Sequence, residues 1–165
     1  MQAQYSYDYL KAADSYYKKG DYYSAAQYYE KWLEANQSKV NQAAYKPYAA
    51  QQAANQQTSK KKNAALSSQE QVIYHLAESY RLLHFPAKAA PYYQQALSFD
   101  KTQYPLAGYY YGLTLKALQN YADAEKAFVA FLDGYAPTDE YREAAKREIE
   151  SLRYIGKQLS KKDLH

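Results

Sequence analysis

The sequence predicts an all-α protein built from antiparallel helix hairpins, and three observations carry the prediction. Three segments repeat one pattern of small and aromatic residues at helical spacing. Hydrophobic residues make up 47%, yet tyrosine supplies 23 of them against 4 Phe, 1 Trp and 1 Met. Rings that carry a hydroxyl need water or a partner at that end, so the core must be thin, as it is where each unit packs only on its neighbours. The third observation is a long amphipathic stretch that closes the chain after Pro137.

A self-similar period of about 20–50 residues is the signature of a repeat architecture. YLKAADSYYKKGDYYSAAQYYEKWLEANQ from Tyr9, IYHLAESYRLLHFPAKAAPYYQQALSFDK from Ile73 and GYYYGLTLKALQNYADAEKAFVAFLDGYA from Gly108 align without gaps. Each has a small residue (Ala13, Ala77, Gly112) and a large one three later (Tyr16, Tyr80, Leu115). A turn follows (Gly20-Asp21, His84-Phe85, Gln119-Asn120), then an alanine (Ala25, Ala89, Ala124) and an aromatic four further on (Tyr29, Tyr93, Phe128). This is a helix, a short turn and a second helix, with small residues letting the two approach and aromatics filling the groove between them. Copies are expected over about 5–38, 69–102 and 104–137.

Residues 38–67 separate the first two copies. SKVNQAAYKPYAAQQAANQQTSKKKNAALS holds few large apolar residues and cannot build such a groove. It reads as an insertion, partly helical and partly mobile, with a diverged unit as the alternative. Beyond it, Ser67 with Glu70 three residues on forms a capping box for the next helix. Pro105 suits the first turn of a helix. Pro91 lies in the second helix of the middle copy, where an interior proline costs about 3 kcal/mol, so that helix is expected to begin near Ala87 and keep Pro91 in its first turn. Residues 138–160 then form one helix with Tyr141, Ala145, Ile149, Leu152 and Ile155 on a single face. It reads as a cap over the last hairpin, or as the first helix of a further one.

Charge and composition exclude several classes. The net charge is +4, but between Ala35 and Gln69 there are five lysines and no acid, so this stretch accounts for the whole excess. A nucleic-acid binder spreads arginine along a structured face, and none is expected here. Lys60, Lys61 and Lys62 read as a solvated loop, with polyanion contact as the alternative. Cysteine is absent, which removes disulfides and thiolate metal sites. No stretch approaches the ~20 apolar residues of a membrane span, and the N-terminus lacks a basic segment followed by an apolar one; a soluble chain is expected. Three scattered histidines (His75, His84, His165) form no metal-binding pair, and five glycines form no phosphate loop. Neither an enzyme nor a cofactor is predicted.

The three-copy pattern resembles the tetratricopeptide repeat, the second and third copies standing 35 residues apart, close to the family's 34. The resemblance implies a right-handed superhelix whose first helices line a concave groove. By alignment the groove positions are Tyr7, Leu10, Asp14 and Tyr17, then Tyr74, Glu78 and Arg81, then Leu106, Tyr109, Leu113 and Lys116. This set is aromatic and aliphatic, and tyrosine is enriched in protein-binding surfaces. The family's carboxylate clamp would fall on Leu10, Asp14, His75, Leu106 and Tyr110, none of which matches, so an extended apolar segment is the expected ligand.

YHLAESYRLLHFPAKAAPYYQQAL and YPLAGYYYGLTLKALQNYADAEKAFVAFL further resemble the N-terminal repeats of PorE-like Bacteroidota envelope proteins, in which such repeats precede a β-propeller and an OmpA-like domain. That resemblance implies a periplasmic, outer-membrane-associated module of type IX secretion and gliding machinery, docking other envelope proteins. The propeller and the peptidoglycan-binding domain have no counterpart here. The expectation is a protein-interaction scaffold without membrane insertion; the alternatives are a structural spacer in a larger envelope protein, or polyanion and cell-wall binding through Lys60, Lys61 and Lys62.

Overall fold

Left-handed backbone at Gly20 (φ 79°), His84 (φ 62°) and Gln119 (φ 63°) ends three helices, at the turn positions of the three aligned segments. The computed structural model describes residues 2–43, 68–134 and 138–163, with side chains from 9 to 36 in the first stretch. All regular structure in these residues is helical: α1 (Gln2–Lys18), α2 (Tyr22–Ala43), α3 (68–82), α4 (Pro86–Ala96), α5 (Ala107–Ala117), α6 (Tyr121–Asp133) and α7 (Asp139–Lys162). The chain divides into two units, Met1–Leu83 and His84–His165.

In the first unit the turn chemistry is complete. Gly20 N–H donates to the Tyr17 carbonyl at 3.1 Å and Asp21 N–H to that of Tyr16 at 3.0 Å, the paired bonds of a Schellman end, which needs a left-handed residue and takes glycine at least cost. Asp21 then starts α2, its Oδ1 accepting from the Ser24 amide at 3.2 Å. With Ala13 and Ala25 fully buried, α1 and α2 approach closely enough for Tyr29 to be sealed between them. Ala26, Trp32, Leu33, Val72, Ile73, Leu76, Ala77 and Tyr80 are buried as well, and the Tyr80 hydroxyl donates to Glu30 Oε1 at 2.6 Å. Helix α2 continues past the expected end of the first copy at 38, reaching Ala43. Ser67 lies outside the described residues, so the capping box does too.

The second unit repeats the device without glycine at its turn. Gln119 N–H donates to the Lys116 carbonyl and Asn120 N–H to that of Leu115, both at 2.9 Å. Ala124 and Phe128 are fully buried between α5 and α6. Gly112 faces Phe128 so closely that a Cβ there would lie 2.8–2.9 Å from three ring carbons. Leu115, Phe131, Ala145, Ile149 and Leu152 join the same core, which brings α7 onto α6 along the predicted stripe, with Tyr141 and Ile155 half-buried at its ends. Asp139 and Glu140 in its first turn, and Lys161 and Lys162 in its last, suit the helix dipole.

Two proline expectations need correction. Helix α4 starts at Pro86, and Pro91 stands inside it rather than in its first turn. Pro86 sets the helical φ one residue early, and the Phe85 carbonyl accepts from the Lys88 and Ala89 amides at 3.1 Å, which fixes the start. Pro91 and Ala87 are both exposed, so water can reach the carbonyl that a Pro91 amide would have bonded. Pro105 precedes α5 by two residues instead of entering its first turn, because Leu106 takes the N-cap and its carbonyl accepts from Tyr110 N–H at 3.0 Å.

Candidate functional site

Each unit brings part of the predicted groove set together, and in both the residues are engaged with the scaffold. In the first, Asp14 on α1, Tyr29 on α2 and His75 on α3 form a hydrogen-bonded chain. The Tyr29 hydroxyl donates to Asp14 Oδ1 at 2.6 Å and stands 3.0 Å from His75 Nδ1. Its one proton is committed to Asp14, so Nδ1 must carry the hydrogen of the second bond and His75 is the donor. Burial drives the Tyr29 pKa far above that of an ordinary phenol, and the Asp14 carboxylate that accepts its proton pushes the same way. Burial also lowers the His75 pKa, against the opposing pull of Asp14 and Glu78. Both shifts favour the neutral forms of Tyr29 and His75, and the bonds tie α1, α2 and α3 together.

Tyr17 covers this chain. Its ring stacks on His75 with centroids 4.2 Å apart and planes 13° from parallel, and it meets Tyr22 and Tyr29 edge-on. A turn further along α3, Glu78 is 8% exposed and pairs with Arg81 at 2.7 Å. Leu10 and Tyr74 are half-buried. The side chain of Tyr7 lies outside the described residues, as do Lys60, Lys61 and Lys62.

A second aromatic group occupies α1 and α2. Tyr28, next to the core Tyr29 in the sequence, stacks on Tyr16 (5.6 Å, 10°) and tilts against Tyr9 (6.2 Å). Lys31 Nζ stands 5.3 Å from the Tyr28 centroid and 5.8 Å from that of Tyr9, within cation–π range. Much of the tyrosine of the first segment thus packs on other tyrosine.

In the second unit, Tyr109 leans edge-on against Phe128 and Tyr141 and tilts over Phe131. Burial raises its pKa, and Glu148 adds to the effect. Lys116 on α5 reaches Glu148 on α7 at 2.7 Å. Leu106 and Leu113 are half-buried against the same core. All four of these predicted positions therefore lie where α7 or the α5–α6 core supports them.

Sequence reasoning passed over His75, as one of three scattered histidines, and treated Tyr29 as core alone. The signal available was the alignment itself, which puts Asp14, a charged residue, one position from the small residue of the first hairpin and a hydroxyl-bearing ring at the facing core position. Among the described residues no group of three or more His, Cys, Asp or Glu could hold a metal ion, and no helix is long and apolar enough to cross a membrane. Comparison of the chain with protein-family models, curated proteins and solved structures gave no match.

Proposed function

We propose that this chain is a non-catalytic protein-interaction scaffold of the tetratricopeptide type, whose first-helix faces receive an extended, largely apolar segment of a partner. The observation that carries the reading is the recurrence of one pattern of turn and buried positions along the chain. Left-handed turn residues fall at 20, 84 and 119, and fully buried alanines at 25, 89 and 124, followed four residues later by Tyr29, Tyr93 and Phe128, all fully buried. These intervals are the same as those of the sequence repeat. Repeats of this kind expose long surfaces suited to partner chains, and half-buried aromatic and aliphatic side chains such as Leu10, Tyr74, Tyr109 and Leu113 suit peptide anchoring. By resemblance alone the partner belongs to a periplasmic, outer-membrane-associated type IX secretion or gliding assembly.

The test is a crosslinking pull-down from a Bacteroidota envelope fraction with the wild-type chain and a Leu10→Glu/Tyr74→Ser variant shown by circular dichroism to be folded. One specific partner lost on substitution supports the scaffold reading. Recovery of nothing specific by either chain favours a structural spacer. A captured polyanion released by salt and by Lys60→Gln/Lys61→Gln/Lys62→Gln would favour the cell-wall reading.

A further inference from the structure

The second unit carries a groove on the other flank of α5 from Tyr109, Leu113 and Lys116. It encloses about 550 Å³ between the end of α4, the turns that follow, α5 and α6, a size ordinary for ligand sites. Its floor is apolar: Leu97, Gly108, Tyr111, Leu115 and Phe131 all line it, and Leu97 remains 40% exposed. Two cations stand at it, Lys126 on α6 and Lys101 in the turns, and neither forms an ion pair among the described residues.

Lys101 is not on an arbitrary loop. Asp100 Oδ1 accepts from both the amide and the hydroxyl of Thr102 at 2.8 Å, and its carbonyl accepts from Tyr104 N–H at 2.9 Å. Phe99 packs edge-on to Tyr104. These bonds hold the turn on either side of Lys101 and direct it toward the end of α6, where Lys101 Nζ lies 3.0 Å from the place a Gly134 Cβ would take. Lys126 is eight residues earlier on α6, about 12 Å along the axis at 1.5 Å per residue. An extended chain covers about 13 Å in four residues. Asp123, one turn beyond Lys126 and also lining the groove, disfavours a further acid at that end.

From this charge and distance pattern we infer that the groove binds an extended peptide segment in which two acidic residues, four apart, flank a short apolar stretch. The apolar side chains cover Leu97, Tyr111 and Phe131, and the acids pair with Lys126 and Lys101. The site uses none of the predicted groove residues, so it stands or falls apart from the scaffold groove proposed above.

The full chain, labelled with 15N, is titrated with the probe peptide acetyl-Glu-Leu-Ala-Phe-Asp-amide, with its Lys-flanked counterpart and with dodecanoate. The expected result is saturable shifts of the Gly108 and Gly134 amides with the acidic peptide alone. Affinity should fall roughly tenfold in Lys101→Gln/Lys126→Gln, from two partly screened ion pairs, and be lost in Ala130→Trp, which plugs the groove from an exposed position on α6. Because the two lysine substitutions are on the surface, the test does not depend on the tryptophan variant folding. Absence of shifts, equal binding of the Lys-flanked peptide, or an unchanged affinity in the double glutamine variant overturns the inference. Shifts with dodecanoate alone overturn it in favour of a small anionic amphiphile.

Discussion

Two glycines four residues apart on α5 should respond to the same substitution with opposite signs. Gly112 faces the Phe128 ring, and a Cβ there falls 2.8–2.9 Å from three ring carbons, whereas a Cβ on Gly108 meets Phe131 at 3.5 Å, an ordinary contact. Helix propensity alone favours alanine over glycine by up to about 1 kcal/mol at either site. At Gly112 the ring cannot yield, because Phe128 is fully buried and packed by Tyr109. Overpacking of a full core costs about 1–3 kcal/mol, so Gly112→Ala should destabilise by about 0.5–2 kcal/mol net, and Gly108→Ala should stabilise by about 0.5 kcal/mol, the gain being smaller in a first turn. Urea unfolding followed by circular dichroism measures both. A double-mutant cycle with Phe128→Leu isolates the cause: the smaller side chain should recover most of the Gly112→Ala loss. If Gly112→Ala stabilised the protein as propensity alone demands, the close approach of α5 and α6 described above would be wrong.

Three further outcomes follow from single residues. Gln119 holds a left-handed conformation that costs a side-chain-bearing residue about 1–2 kcal/mol, so Gln119→Gly should raise stability by about 0.5–1 kcal/mol after the added chain entropy of glycine, read from the urea midpoint; Gly20→Ala should lower it. The Ser79 hydroxyl is fully buried and has no hydrogen-bond partner among the described residues, so Ser79→Ala should gain about 1 kcal/mol in the same assay, and a loss would mean that the hydroxyl is satisfied in solution. The His75 pKa is lowered by burial, so the unfolded chain binds the proton more readily. The resulting stability is present above about pH 6.5 and lost as pH falls through the lower folded value. Thermal midpoints from pH 7.5 to 5 should therefore drop more steeply for wild type than for His75→Gln, and parallel curves would refute this assignment.

Much of the fold was legible because the repeat pattern is a packing rule. Small residues at 13, 25, 77, 89, 112 and 124 and aromatics at 29, 93 and 128 are buried where periodicity puts them, since a helix pair with no small residue at its crossing cannot close over a ring. The helix starts at the prolines were less legible. Proline at N1 and proline one turn further on carry similar local signals, and whether an interior proline is tolerated depends on whether water reaches the orphaned carbonyl, which periodicity does not reveal. The groove between α4, α5 and α6 was also not visible in the sequence. Its cations come from a turn and a helix twenty-five residues apart, and only the Asp100 turn directs one of them to the end of α6.

The predicted groove positions were legible as a set, but not how far the scaffold itself engages them, and the reason lies in the tyrosine. At the equivalent core position α6 uses Phe128, which asks nothing of its neighbours, whereas α2 uses Tyr29, whose buried hydroxyl must be met. Asp14 and His75 meet it, and Tyr17 stacks over His75. Glu78 is paired with Arg81, and Lys116 with Glu148. The buried hydroxyl thus draws Asp14 into the hydrogen bonding of the core, ring contacts hold Tyr17 and Tyr109, and substitutions at these three test stability before they test binding. Leu10 makes no such polar commitment and is half-buried on α1, so Leu10→Glu is the substitution that separates loss of a partner from loss of the scaffold.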